Sequence, residues 1–133
     1  MRVEKWLRNR RNCGLLVVGL LSQMAGGSAF AAEGYVGPVY LDSVGVQQIP
    51  GVTAHRPGNL EIKIRDGFTV PKGVNCESVY ITTRKENDAD KRMFALLTAG
   101  HLAGRPVKLQ ISDDPALQAF PGRCSLLWVE VMP

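Results

Sequence analysis

The sequence predicts a mainly β domain with one helix, and three observations carry that prediction. Two segments, "LEIKIRD" (residues 60–66) and "RPVKLQIS" (residues 105–112), alternate apolar and polar residues with period two, as strands with one buried face do. Between them, "KENDADKRMFALLTAGHLAG" (residues 85–104) spaces its apolar residues three to four apart, as a helix packed on one side does. The chain beyond its first thirty-odd residues is about 100 residues long, enough for one modest core.

Those first residues read separately. "MRVEKWLRNRRN" is basic, with Arg2, Lys5, Arg8, Arg10 and Arg11 against Glu4 alone. A short apolar run follows, "CGLLVVGLL", and then small residues ending in Ala29-Phe30-Ala31. This is the pattern of a secretory signal peptide cut after Ala31. It divides the chain into a leader, 1–31, and one domain, 32–133, and predicts export to the periplasm or the exterior. The apolar run falls short of the roughly 20 residues a membrane span needs, and no second run follows, so no membrane insertion is expected. "RRNC" lacks the small residues of a lipid-attachment site, and the consensus around Arg10-Arg11 is poor for twin-arginine export.

Charge and cysteines follow from that division. The chain carries 16 Lys+Arg and 12 Asp+Glu. The leader takes five and one of these, leaving eleven of each, so the domain has no electrostatic footprint for nucleic acid. Cys76 and Cys124 are the only cysteines left, and in an exported domain an isolated pair reads as a disulfide. Closing a loop of about 49 residues stabilises by roughly 4 kcal/mol in the chain-entropy model. Two free buried thiols are the competing reading. A metal site is poorer, since the two cysteines lie far apart with no nearby histidine. No motif calls for a cofactor.

The elements then run in order. "YVGPVYLDSVGV" (residues 35–46) is a first strand, with Pro38 expected on an edge or at a bulge because it cannot donate to a ladder. "QQIPGVTAHRPGN" is a loop with turns at Pro50-Gly51 and Pro57-Gly58. Residues 60–66 form the second strand, with Leu60, Ile62 and Ile64 inward. "CESVYITTR" (residues 76–84) is the third, rich in β-formers. Asn87 or Asp88 is expected to cap the helix, whose buried face holds Phe94, Leu97 and His101 together with Met93 and Gly100. Gly104 reads as its left-handed terminator, with Pro106 beyond. The fourth strand points Val107, Leu109 and Ile111 inward and Lys108 and Gln110 outward. "DDPALQAFPG" is a loop, and "RCSLLWVEVM" the fifth strand. Three strands, a helix and two strands suit a small five-stranded Greek-key barrel with the helix between strands three and four, the OB-fold. An open α+β sheet with the helix across one face is the alternative.

The candidate chemistry is sparse. "LTAGH" (residues 97–101) resembles the segment around the catalytic histidine of trypsin-like serine proteases. However, Leu102 follows where that family has a cysteine, no Gly-Asp-Ser-Gly nucleophile motif exists, and one domain cannot supply two barrels. His101 therefore reads as a helix-terminal residue, favourable to the dipole, and no catalytic residue is assigned. Asp113 and Asp114 read as turn-formers rather than cation ligands. The mixed charges of residues 84–92 read as a solvated approach to the helix. Trp128, after Leu126 and Leu127, reads as core. Tyr35, Tyr40 and Tyr80 are the candidate binding residues, since exposed tyrosines on a barrel face stack on sugars or hold a protein partner.

The pattern C-x3-Y-I-x-T-R followed by K-R-M-F-A-L-L-T-A-x-H-x-A-G-R-P-V-K-L-Q-I, within residues 76–124, resembles small secreted bacterial proteins similar to the B subunit of subtilase and pertussis-like AB5 toxins. The resemblance implies an OB-fold subunit, assembly into a homopentameric ring and binding to a cell-surface glycan. It carries no individual sugar-contacting residue onto residues 35–46. The expected function is thus an exported, non-enzymatic binding subunit recognising a glycan or protein. The alternative is a solitary periplasmic protein of the same fold, an envelope structural factor or a protein inhibitor.

Overall fold

The computed structural model describes residues 31–48 and 56–133. The leader up to residue 30 and the Pro50-Gly51 turn lie outside the described residues. Among the described residues are six strands and one α-helix: β1 (Glu33–Val39), β2 (Leu41–Val46), β3 (Leu60–Ile64), β4 (Tyr80–Thr83), α1 (Arg92–Leu102), β5 (Val107–Ser112) and β6 (Cys124–Val131). The strands make one mixed sheet in the order β1-β5-β6-β4-β3-β2. Every neighbouring pair is antiparallel except β4 and β6, which run parallel. The fold is mainly β, as the alternation predicts, with the helix between β4 and β5.

The expected first strand divides in two. Its halves β1 and β2 pair with β5 and β3 respectively, at opposite ends of the strand order, yet Tyr40 alone separates them in the chain. The local sequence makes β1 irregular just ahead of the break. The Gly37-Pro38 peptide is cis, and the β1–β5 register slips between Val36 and Val39. Gly37 has φ +124°, and a Cβ on it would lie 2.6 Å from the Val107 carbonyl oxygen, so only glycine fits. Pro38 thus sits where a residue without an N–H is tolerated, at a bulge of an edge strand.

The other strands follow their alternation where it is regular. Leu60, Ile62 and Ile64 of β3 and Val107, Leu109 and Ile111 of β5 are buried, while Glu61, Lys63, Lys108 and Gln110 are half-exposed. β4 begins at Tyr80, four residues after Cys76, because residues 76–79 contact the chain irregularly. There Phe68 N–H donates to the Ser78 carbonyl and Ile64 N–H to that of Val79. Cys76 and Cys124 are joined, with Cα atoms 5.4 Å apart and sulfurs at 2.06 Å. The bridge ties this irregular segment, rather than β4 itself, to the first residue of β6.

The expectation that Trp128 is core is corrected. A bulge opposite Gln110 and Ile111 makes Leu127 an extra residue in β6. Without it, Cys124, Leu126, Trp128 and Glu130 would share one face. With it, Cys124, Leu126 and Val129 face inward, and Trp128 turns out, 41% exposed.

The helix cap is also displaced. Asp88 lies in a 3-10 turn (Lys85–Asp88), and α1 starts only at Arg92, after Lys91 in a left-handed conformation. The Asp88 carboxylate nevertheless accepts from Met93 N–H at 3.0 Å and Phe94 N–H at 3.1 Å, satisfying two orphan donors of the first turn from outside the helix. At the other end Arg105 N–H donates to the Gly100 carbonyl and Gly104 N–H to that of His101, with Gly104 at φ +62°. This is the expected glycine terminator. Leu97 and Gly100 are the buried helical residues. A Cβ on Gly100 would press on Val107 and Val131 at 3.1–3.2 Å, so the glycine lets the helix settle closely on β5 and β6.

Candidate functional site

The outer face of β1, β5 and β6 gathers the exposed aromatic surface. Strand register sets Tyr35 opposite Gln110 and Gln110 opposite Trp128, one row across three strands. Tyr35 is 60% exposed, and its ring meets Trp128 edge-on, centroids 6.2 Å apart at 85°. Such T-shaped pairs are a favourable aromatic geometry, and both rings stay open to solvent. The Lys108 ammonium stands 5.1 Å from the Tyr35 ring centre, a cation–π distance. Gln110 Nε2 donates to the Glu33 carboxylate at 3.0 Å, and Glu130 lies opposite Lys108 in the register. The result is two exposed aromatic rings, nearly perpendicular to each other, within a rim of amide, ammonium and carboxylate groups.

The three tyrosines do not form one site. Tyr35 joins the row with Trp128. Tyr40, 46% exposed, sits at the break between β1 and β2 with the Arg65 guanidinium 5.6 Å from its ring. Tyr80 is half-buried and belongs to a scaffold cluster. The Arg123 guanidinium lies 4.4 Å from the Tyr80 ring and 4.5 Å from that of Phe120, and pairs with Glu61 and, at 2.6 Å, with Glu77. Arg123 precedes Cys124, so this cluster braces the disulfide end of the sheet.

His101 sits in the last turn of α1, half-buried, with Nδ1 3.2 Å from the Leu41 carbonyl oxygen. A carbonyl only accepts, so Nδ1–H donates and the ring ties the helix end to the start of β2. Asp113 and Asp114 serve turns and joints. Asp114 accepts from Ala116 N–H at 2.8 Å, and Asp113 accepts from Ala32 N–H and Asn75 N–H.

Two open clefts lie elsewhere. One, of about 630 Å³, is lined by Asp42, Lys63, Arg65 and Asp66. Its Asp42–Lys63 pair, 2.7 Å apart, lowers the Asp42 carboxyl from its usual value and raises the Lys63 ammonium, chiefly through their shared hydrogen bond. The other, of about 600 Å³, is lined by Arg56, Asn59, Arg84, Glu86 and Gln118. Neither is lined by an exposed aromatic ring.

No family model, curated protein or solved structure matches this chain significantly.

The site therefore stands on its own geometry. Sequence reasoning found Tyr35, and placed Lys108 and Gln110 outward, but missed Trp128. The available signal was Glu130, which strict alternation from Cys124 would bury on the same face as Trp128; a bulge between them relieves that conflict.

Proposed function

We propose that this chain is an exported, non-enzymatic binding subunit that takes a glycan on the outer face of β1, β5 and β6. The observation that carries the reading is the exposed Tyr35–Trp128 pair with Gln110 between them in the strand register. A pyranose ring has an apolar C–H face and hydroxyls around its edge. Exposed aromatic rings suit the face, and Gln110, Glu33 and Lys108 suit the hydroxyls or a carboxylate-bearing sugar. The non-enzymatic reading is supported by His101, whose ring bonds to a backbone carbonyl rather than to a nucleophile.

The finer fold assignment is an OB-fold-like five-stranded barrel. Counting β1 and β2 as one strand bent at Tyr40 gives five strands whose order returns to its starting strand. The parallel β4–β6 pair and the helix between β4 and β5 agree with that arrangement. Assembly into a ring, as in AB5 toxin B subunits, is supported by α1. Beyond Arg92 in its first turn, the exposed residues Ala95, Leu96, Ala99 and Leu102 continue the outward stripe without a further charge.

Glycan-array screening of the chain from residue 32 tests the reading, followed by affinity measurements on Tyr35→Ala and Trp128→Ala. Each substitution should weaken capture at least about ten-fold, the scale of an aromatic hot spot, while circular dichroism stays unchanged. Capture indifferent to both substitutions, or no glycan captured at all, sinks it. Sedimentation separates the assemblies: a pentamer supports the ring, and a monomer supports the solitary periplasmic alternative.

A further inference from the structure

The start of the domain meets a built acceptor. The backbone nitrogen of Ala32, just ahead of β1, donates to Asp113 Oδ1 at 2.7 Å, and Asp113 N–H returns a bond to the Ala32 carbonyl at 3.1 Å. The second carboxylate oxygen accepts from Asn75 N–H at 2.8 Å, and Gln118 Nε2 donates to the Asp113 carbonyl at 3.2 Å. Ala32 and Asp113 are half-buried, whereas Ala31 is exposed. One carboxylate thus joins the head of β1, the end of β5 and the loop at residues 71–75. That loop packs so closely on β1 that a Cβ on Gly34 would lie 2.4 Å from Pro71. The neighbouring acids are otherwise engaged, Glu33 with Gln110 and Asp114 with Ala116 N–H.

The Ala29-Phe30-Ala31 pattern puts the cut at the bond whose nitrogen Asp113 holds. Hydrolysis adds one water across that bond. Ala31 leaves as a carboxylate, and the Ala32 nitrogen becomes an α-ammonium that keeps its place against Asp113. We infer that Asp113 is the receptor for the α-ammonium created at Ala32 by signal removal, so that processing turns an amide–carboxylate hydrogen bond into an ion pair that fastens β1. The inference rests on the export reading above. The amide N–H already donates to a charged acceptor; the α-ammonium adds a formal positive charge and its Coulomb attraction to the carboxylate, and partial burial limits the screening of that attraction by salt. Because β1 carries Tyr35, maturation steadies the strand that bears the proposed binding face. The Ala32 nitrogen is also engaged once the domain has folded, so cleavage belongs before folding is complete.

The test compares the chain beginning at Ala32 with a free amine, the same chain acetylated at that amine, and a chain retaining residues 28–31. Acetylation and extension should each lower the melting temperature, by about 4–8 °C for a domain of this size. In Asp113→Asn, acetylation should change it by less than about 1 °C. Equal losses with and without the Asp113 carboxylate overturn the ion pair. So does a free-amine chain that melts with the acetylated and extended ones, a comparison that needs no Asp113 variant. The intact mass of exported protein reads the other half: a start other than Ala32 overturns the processing step, and a start at Ala32 supports it. Neither result depends on whether a glycan binds.

Discussion

At the scale of single residues, partners decide what a side chain is for. Tyr35 and Tyr80 are the same residue type on the same sheet. One lies open beside Trp128, and the other stacks on a guanidinium that two carboxylates already hold. The Asp42–Lys63 pair allows a pH prediction. The Asp42 carboxyl is lowered by its Lys63 bond, so its contribution to stability is present above the unfolded value and is lost as pH falls through the folded one. Lys63 is raised by Asp42, so its contribution is present below its unfolded value and is lost as pH rises through the folded one. Both groups are exposed, and the effect on stability is small. NMR titration should give Asp42 a lower pKa in the native chain than in Lys63→Met; identical curves would rule out the pairing in solution.

At the scale of elements, local rules hold in substance and shift in position. Asp88 satisfies the first turn of α1 although the helix begins four residues later. Replacing Asp88 with alanine should destabilise the domain by about 1 kcal/mol, as loss of a cap does, read as a lower urea midpoint. An unchanged midpoint would mean that water replaces the carboxylate without cost. The irregularity inside β1 has an equally local cause. Gly37 and Pro38 put a bulge within β1 because one must adopt a positive φ and the other has no N–H. The extra residue in β6 turns a tryptophan outward and keeps a glutamate out of the core.

At the scale of the whole molecule, the disulfide closes a long covalent loop. It joins residues 48 apart in sequence, enclosing β4, α1 and β5 between a loop and the start of β6. Replacing both cysteines with serine should lower stability by about 2–5 kcal/mol, because the unfolded chain regains loop entropy. Chemical denaturation measures that loss, and two thiols alkylated in the native, unreduced protein would show that no bridge forms. The core itself depends on alternation from separate strands converging, with Ile62, Ile81, Leu109 and Leu126 buried together.

What the sequence determined by itself was what depends on short-range repetition: the buried faces of β3 and β5, the helix between β4 and β5 and its glycine terminator. These are legible because period and φ preference are properties of neighbours along the chain. Tertiary structure alone decided the rest. Whether residues 35–46 make one strand or two depends on which distant strands, β5 and β3, receive each half. Whether Trp128 is core or surface depends on a bulge opposite β5. Tyr80 became scaffold because Arg123, far along the chain, folds onto its ring. A strand residue changes face when the register slips by one, and register is settled only by the partner strand.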